Sequence, residues 1–350
     1  MKKVLHILPS NRFSGAENVV CQIICMFQDR DREFEMTYCC PDGPIRQALQ
    51  QRNIQFIPLV RMSILEIRRV INQVKPDIIH AHDMKASFFV ALACGRTPMI
   101  SHVHNNNFDA RRPTPKAILY LCAALKAKHI FWVSQSSLEE YCFQKWVKKR
   151  STFLQNIINP QETRAKAIMA NNQDVYDIVY VGRLTYQKNP QRLIAVIKRI
   201  VDVIPNIKVA IVGSGDLEEE TISAVEKAGL NHCVNMLGFM ANPLGILGNS
   251  KLMLMVSRWE GTPMCALESM AVGVPIVSTP TDGLSELIMN GKTGYLSNDD
   301  EELANKCIQL IKDSELRERM SQMTSVRANE IMDMDTYVSR IKQIYEQALN

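Results

Sequence analysis

Strand-like runs rich in Val and Ile recur along this chain, each followed by a stretch of helical period, and the whole pattern is run through twice. The first pass reads KVLHIL, a loop PSNRFSGAE, a helix NVVCQIICMFQ, then FEMTYCC, a helix IRQALQQRN, and the runs IQFIPL, DIIHAH and MISHVH. The second reads DIVYVGR, a helix NPQRLIAVIKRIVDVI, KVAIVGSG, a helix LEEETISAVEKAG, VNMLGF, LMLMVS and PIVST. Runs that are apolar throughout, separated by helices, predict parallel sheets covered on both faces. The expected fold class is α/β, with two Rossmann-like doubly wound domains facing a central cleft. Residues 1–160 form the expected first domain and 174–334 the second, with the polar stretch NPQETRAKAIMANNQ (159–173) as linker. After GKTGYL two helices are expected; the last, about Thr336–Leu349, is amphipathic and is placed against the first domain (335–350). In open α/β sheets ligands bind outside the carboxyl ends of the strands.

At 350 residues the chain suits two domains of ordinary size, and 46% hydrophobic with 22% charged residues is a globular composition. No run approaches the roughly 18 apolar residues of a membrane span. MKKVLHILPSNRF has lysines and a short apolar run, but its length suits a first strand better than a signal peptide. The expected location is cytoplasmic. The ten cysteines include no C-x-x-C pair, and Cys21/Cys25 lack a second pair to complete a metal site, so they read as small buried apolar residues. Residues 1–175 hold 24 Lys+Arg against 14 Asp+Glu, and the remainder 17 against 22. A basic first half suits an anionic membrane surface or an acidic acceptor. Its cations are scattered without interleaved aromatics, which argues against nucleic acid.

The stretch Ser257–Ser278, SRWEGTPMCALESMAVGVPIVS, raises a chemical question. From Pro263 to Val272 every side chain is apolar or small and neutral except Glu268, and a buried ionised carboxylate is costly without a partner. Thr262-Pro263 reads as an N-cap with proline at the first helical position, and Gly273-Pro275 as the stop, giving a helix of about ten residues. The N–H groups at its start suit an anion. A nucleotide sugar has matching parts: a ribose diol to donate to Glu268, sugar hydroxyls for Glu260, and a diphosphate between them.

Glu260 and Glu268 are an E-x7-E pair within EGTPMCALESMAVGVPIV, which resembles the signature of retaining nucleotide-sugar glycosyltransferases of family four, whose fold is termed GT-B. VGRLTYQKNPQRLI resembles that family's phosphate-gripping segment, and PDIIHAH, ISHVHNN and SGAE its first-domain strands and loop. LGFM (237–240) resembles the segment whose backbone faces the nucleobase. The resemblance implies that Arg183, Lys188, Glu260 and His104 carry catalysis. It implies a donor site of Gly15, Gly182, Arg183, Lys188, Phe239, Met240, Glu260, Gly261, Thr262, Pro263, Met264 and Glu268. Departures from the family pattern stand at Ser14-Gly15, His104-Asn105 and Asp282-Gly283-Leu284.

The implied reaction moves a sugar from a nucleotide diphosphate, a UDP-sugar being the expectation, to a hydroxyl of a glycan or lipid-linked glycan, with retention. The implied setting is bacterial surface polysaccharide synthesis. Positive groups aimed at the departing diphosphate supply the largest contribution. No cofactor or metal is called for: Asp29-Arg-Asp31 and Asp333-Met-Asp335 lie in helix-end and helical context and read as solvated charge. Gly213-Ser214-Gly215 is a weak motif alone, and His80 and His82 read as structural. The basic and apolar segment 111–133, with WVKKR (146–150), suggests peripheral contact with the inner membrane face; a helix packed on the sheet is the plainer reading. Two other classes share the architecture, a sugar-nucleotide epimerase and an inactive nucleotide-sugar-binding protein. A dehydrogenase is excluded by the missing G-x-G-x-x-G after the first strand.

Overall fold

The computed structural model describes residues 1–104, 108–170 and 174–350. The chain divides into two units, one of residues 1–157 with 333–350, the other of 158–332.

In the first unit the strands are β1 (Lys2–Ile7), β2 (Phe34–Pro41), β3 (Phe56–Leu59), β4 (Ile78–His82), β5 (Met99–Val103), β6 (His129–Trp132) and β7 (Ser151–Phe153). They pair in parallel in the order β3-β2-β1-β4-β5-β6-β7. Alternation along each strand separates two faces. Leu5, Ile7, Ile79, Ala81, Val103, Ile130 and Trp132 point into one buried core. The opposite face holds the C-terminal helix Met334–Leu349: Tyr345 packs its ring 5.9 Å from Phe27 and 5.4 Å from Phe34. Ion pairs anchor that helix, Arg30 to Asp335 at 2.8 Å and Lys342 to Asp31 at 2.7 Å. Asp333 caps it by accepting the N–H groups of Asp335 and Thr336. The aspartates of both D-x-D matches are thus partly spent on this docking.

The second unit carries β8 (Tyr176–Val181), β9 (Val209–Val212), β10 (Val234–Gly238), β11 (Ser250–Met255), β12 (Ile276–Ser278) and β13 (Gly294–Leu296). All pair in parallel in the order β10-β9-β8-β11-β12-β13. Two doubly wound Rossmann-like sheets, as the periodicity predicts, are what the chain forms. The order of each sheet reverses at one place, between β1 and β4 and between β8 and β11, and such switch points leave a crevice at the carboxyl ends.

Three expectations need correction. The stretch 159–173 is not a bare linker: Asn159 accepts the N–H groups of Gln161 and Glu162, and Pro160–Met169 is a helix. That helix belongs to the second unit, where Arg164 donates to the Ala271 carbonyl at 2.6 Å. Its exposed apolar residues obscured its period. Three helices, not two, follow β13, namely Asp300–Lys312, Ser314–Ile331 and Met334–Leu349; Asp313 ends the first and caps the second. Strands β6, β7 and β13 went unread, being three or four residues long.

Candidate active site

The loops that leave β8 and β11, at the switch point of the second unit, carry most of the expected donor residues. Gly182 and Arg183 follow β8 directly, and the turn ends in Lys188 and Asn189, which adopts φ +56° before the helix Pro190–Val201. Glu260 to Pro263 follow β11 and lead into the helix Met264–Ala271. Here the start differs by one residue from expectation. Pro263, extended at ψ 126°, is the N-cap, and the helix has eight residues rather than ten. Gly273, at φ +77°, supplies the left-handed stop.

The two loops are knitted together. Lys188 Nζ donates to Glu260 Oε1 at 2.6 Å, in an ion pair whose side chains are 11% and 5% exposed. Burial alone would lower the Lys188 ammonium; Glu260 beside it more than offsets this, and it lies above its ordinary range. Gln187 donates to the Trp259 carbonyl at 2.9 Å, and Arg258 donates to the Tyr186 carbonyl at 3.1 Å and to Asn189 Oδ1 at 3.0 Å. Breaking a buried ion pair by removing one partner costs roughly 3–5 kcal/mol, so Lys188 and Glu260 hold the loops in place whatever else they do. Arg183 is exposed and has no ion pair among the described residues. It is the cation at this switch point most open to an anion.

Glu268 lies on the inner turn of the helix, half-buried, with no ion pair or side-chain hydrogen bond among the described residues. Burial pushes its carboxyl up to about 7, and Lys166 pulls only weakly the other way. Its neighbour Cys265 is also half-buried, and desolvation pushes its thiol up to about 12. Gly261, Thr262, Pro263 and Met264 are all buried. Phe239 and Met240 follow β10, with Phe239 65% exposed.

Glycines outside the expected set shape this floor. At Gly213 φ is +138°, and a Cβ there would stand 1.9 Å from the Gly182 carbonyl oxygen. A Cβ on Gly215 would meet the Leu184 carbonyl at 2.3 Å, and one on Gly283 the Gly261 carbonyl at 1.4 Å. The weak G-S-G motif therefore has a structural reason: the backbone after β9 lies against the loop after β8. Gly283 similarly holds the turn after β12 against the loop carrying Glu260.

In the first unit, Gly15 opens the helix Gly15–Arg30 after β1, and a side chain there would meet nothing within 4 Å. Ser14 Oγ donates to Glu17, a buried carboxylate in the first turn. His104, one residue past β5, is 6% exposed; its backbone N–H donates to Asp83 Oδ1 at 3.1 Å and its Nε2 lies 2.8 Å from His82 Nδ1. Asn105 lies outside the described residues. Sequence reading missed Asp83 and Glu17. Asp83 has φ +66°, a left-handed backbone that a non-glycine residue rarely holds without cause. Burial raises its carboxyl to about 6, against the His104 hydrogen bond. Its signal was available, an acid directly after the HAH of β4. The structure brings Gly182, Arg183, Lys188, Glu260–Met264 and Glu268 together around β8 and β11. It leaves Phe239 and Met240 at the end of β10, the edge strand two places from β8, and places Gly15 and His104 at the strand ends of the first unit.

The model of the Glycosyltransferase Family 4 domain matches residues 13–162, and that of Glycosyl transferases group 1 matches residues 161–326. Together the two matches span residues 13–326, and with the fold they support a glycosyltransferase of the GT-B type. It is 24% identical to an uncharacterized glycosyltransferase of Methanocaldococcus jannaschii, over 73% of this chain and 76% of that one. It is 23% identical to the Escherichia coli UDP-Gal:alpha-D-GlcNAc-diphosphoundecaprenol alpha-1,3-galactosyltransferase, over 98% of this chain and 95% of the relative. Among solved structures, Anabaena HepE in complex with UDP-glucose shares the fold with a TM-score of 0.86 at 20% identity, covering 99% of this chain and all of that one.

Proposed function

We propose that this chain transfers a sugar from a UDP-sugar to a hydroxyl of a lipid-linked glycan, with retention of anomeric configuration, in building a bacterial surface polysaccharide. The observation that carries the reading is the arrangement at the β8/β11 switch point. An exposed Arg183 stands beside the buried Lys188–Glu260 pair, and Glu268 stands within the helix that follows Glu260, with its carboxylate unpartnered among the described residues. Arg183, the remaining Nζ protons of Lys188 and the N–H groups at Gly261–Met264 receive the diphosphate and its growing charge as the sugar departs. The ribose diol donates to Glu268, and Glu260 holds sugar hydroxyls with the oxygen that Lys188 leaves. Phe239 and Met240 flank the base. In the first unit the Gly15 helix start offers N–H groups to phosphate, and His104 offers a ring nitrogen to the sugar. The acceptor hydroxyl attacks from the face the leaving phosphate vacates, and that phosphate takes its proton. No metal enters this scheme.

The donor assignment draws support from a relative whose name specifies UDP-Gal, and the fold from a structure holding UDP-glucose. Thermal-shift measurement against UDP, GDP, ADP and dTDP sugars tests it. UDP-sugars are expected to raise the melting temperature by several degrees, with Glu268→Gln reducing the shift. A screen in which no UDP-sugar stabilises the chain sinks the reading. Proton NMR of the product's anomeric signal decides retention.

A further inference from the structure

Five of the seven histidines lie on one face of the first unit's sheet: His6 on β1, His80 and His82 on β4, His102 on β5, and His104 just past it. His6 is level with His80, and His82 with His102, across the parallel ladder. His6 Nδ1 lies 2.9 Å from His82 Nε2, and His82 Nδ1 lies 2.8 Å from His104 Nε2. His82 is therefore bonded through both ring nitrogens. Burial lowers His6 and His104 to about 3 and depresses His82 as well, so each ring is neutral near pH 7 and carries one proton.

A neutral imidazole donates at one nitrogen and accepts at the other. The row His6–His82–His104 then has only two polarities. If His6 donates to His82 and His82 to His104, the unspent N–H is at His104 Nδ1. If the protons point the other way, it is at His6 Nε2. Both terminal nitrogens are buried, and neither has a hydrogen-bond partner among the described residues. The two ends differ in surroundings, however. His6 is fully buried in the middle of the sheet, whereas His104 is 6% exposed and stands beyond the carboxyl end of β5. An orphaned N–H in a core is among the costliest polar defects. At a strand end, where the residue keeps some exposure, an arriving ligand oxygen can accept it.

We propose that His6 and His82 are positioning residues that hold His104 as its neutral Nδ1–H tautomer, with a donor ready for a ligand oxygen at the end of β5. A sugar hydroxyl is the ligand oxygen if the function above is right; the tautomer itself does not depend on that reading. A bridging cation does not suit the same contacts. Tetrahedral zinc with Zn–N near 2.0–2.1 Å spaces its nitrogens about 3.3 Å apart, wider than the 2.8 Å and 2.9 Å found here.

Histidine-selective 15N labelling of the whole ligand-free protein, read by long-range proton–nitrogen NMR, tests this. The His104 signals are assigned by their loss in His104→Gln. The expected spectrum shows His104 with a pyrrole-type Nδ1 and a pyridine-type Nε2, favoured at least about tenfold, and the same polarity at His82. His82→Phe should turn His104 into a mixture of tautomers. His82→Gln, whose amide both donates and accepts, should restore the preference. A His104 protonated at Nε2 in the parent protein overturns the proposal, even if no variant folds. So does a tautomer ratio unchanged in His82→Phe, or a move of the His82 nitrogens to metal-bound shifts on adding Zn2+. Hydrolysis of UDP-glucose by the His104→Gln variant is a separate reading: undiminished turnover with the expected tautomer tells against the sugar-donor function and leaves the relay standing.

Discussion

Glu268 shows how one carboxylate in an apolar helix couples binding to stability. Its folded-state value of about 7 lies above the ordinary 4.5 because burial disfavours the charged form. Between those two values the folded chain keeps a proton that the unfolded chain has released, so stability falls as pH climbs through the window. The full loss is about 3 kcal/mol at 1.36 kcal/mol per pKa unit. Urea denaturation of Glu268→Gln against the parent is expected to show little difference near pH 4.5 and the variant more stable by roughly that amount at pH 8. Equal stability at pH 8 would mean that the carboxylate is already compensated, and the case for a ribose partner would weaken with it. Lys188 and Glu260 teach a different lesson. Each is legible in sequence as a ligand-binding residue, yet their mutual 2.6 Å contact spans 72 positions and no local pattern announces it.

At the scale of elements, the site rests on backbone-to-backbone contact between successive strand-end loops. Gly213 is the clearest case, with φ +138° and the Gly182 carbonyl where a side chain would go. Gly213→Ala meets both the backbone strain, about 1–3 kcal/mol, and that collision. The expected result is a lower urea midpoint and weaker UDP binding together, since the displaced loop is the one that carries Arg183. Gly15→Ala is the control, because its Cβ would meet nothing within 4 Å; it should leave stability nearly unchanged. Equal effects of the two on stability would show that the loop after β8 can yield. The short helix Met264–Ala271 owes its length to a similar device, Gly273 in the left-handed region followed by Pro275.

For the whole molecule, the asymmetric charge of the two halves acquires a location. In the first unit the helix Pro115–Lys126 exposes Ile118, Leu119 and Leu125, and Trp146 is 66% exposed among Lys145, Lys148 and Lys149. Some neighbouring cations are spent internally: Arg150 donates to the Leu125 and Ala127 carbonyls, and Arg111 pairs with Glu140 at 2.7 Å. Among the described residues no helix is long and apolar enough to cross a membrane. We propose peripheral contact through this surface, worth about 1 kcal/mol per lysine near an anionic bilayer. Co-sedimentation with phosphatidylglycerol vesicles is expected at low salt and should be lost at high salt. It should fall about tenfold or more in Lys148→Glu/Lys149→Glu. No binding at low salt ends the idea, leaving a packed helix with solvated lysines.

From the order of residues alone came the two parallel sheets, the helices between them, the strand-end loops holding Arg183, Lys188 and Glu260, and the helix holding Glu268. All of these follow from periodicity and punctuation within windows of a few residues, which is where local backbone preference and apolar burial act. What the sequence left open was everything set by contacts between distant segments. The helix Pro160–Met169 joins the second unit, and the C-terminal helix, expected against the first domain, is held there by contacts of Arg30, Lys342 and Tyr345 that no local pattern announces. Three strands too short to show a period take their place only because a neighbour's ladder is waiting for them. The histidine row is the plainest instance. His6, His82 and His104 are unremarkable in their own strands, and only the register of β1, β4 and β5 makes them one hydrogen-bonded line.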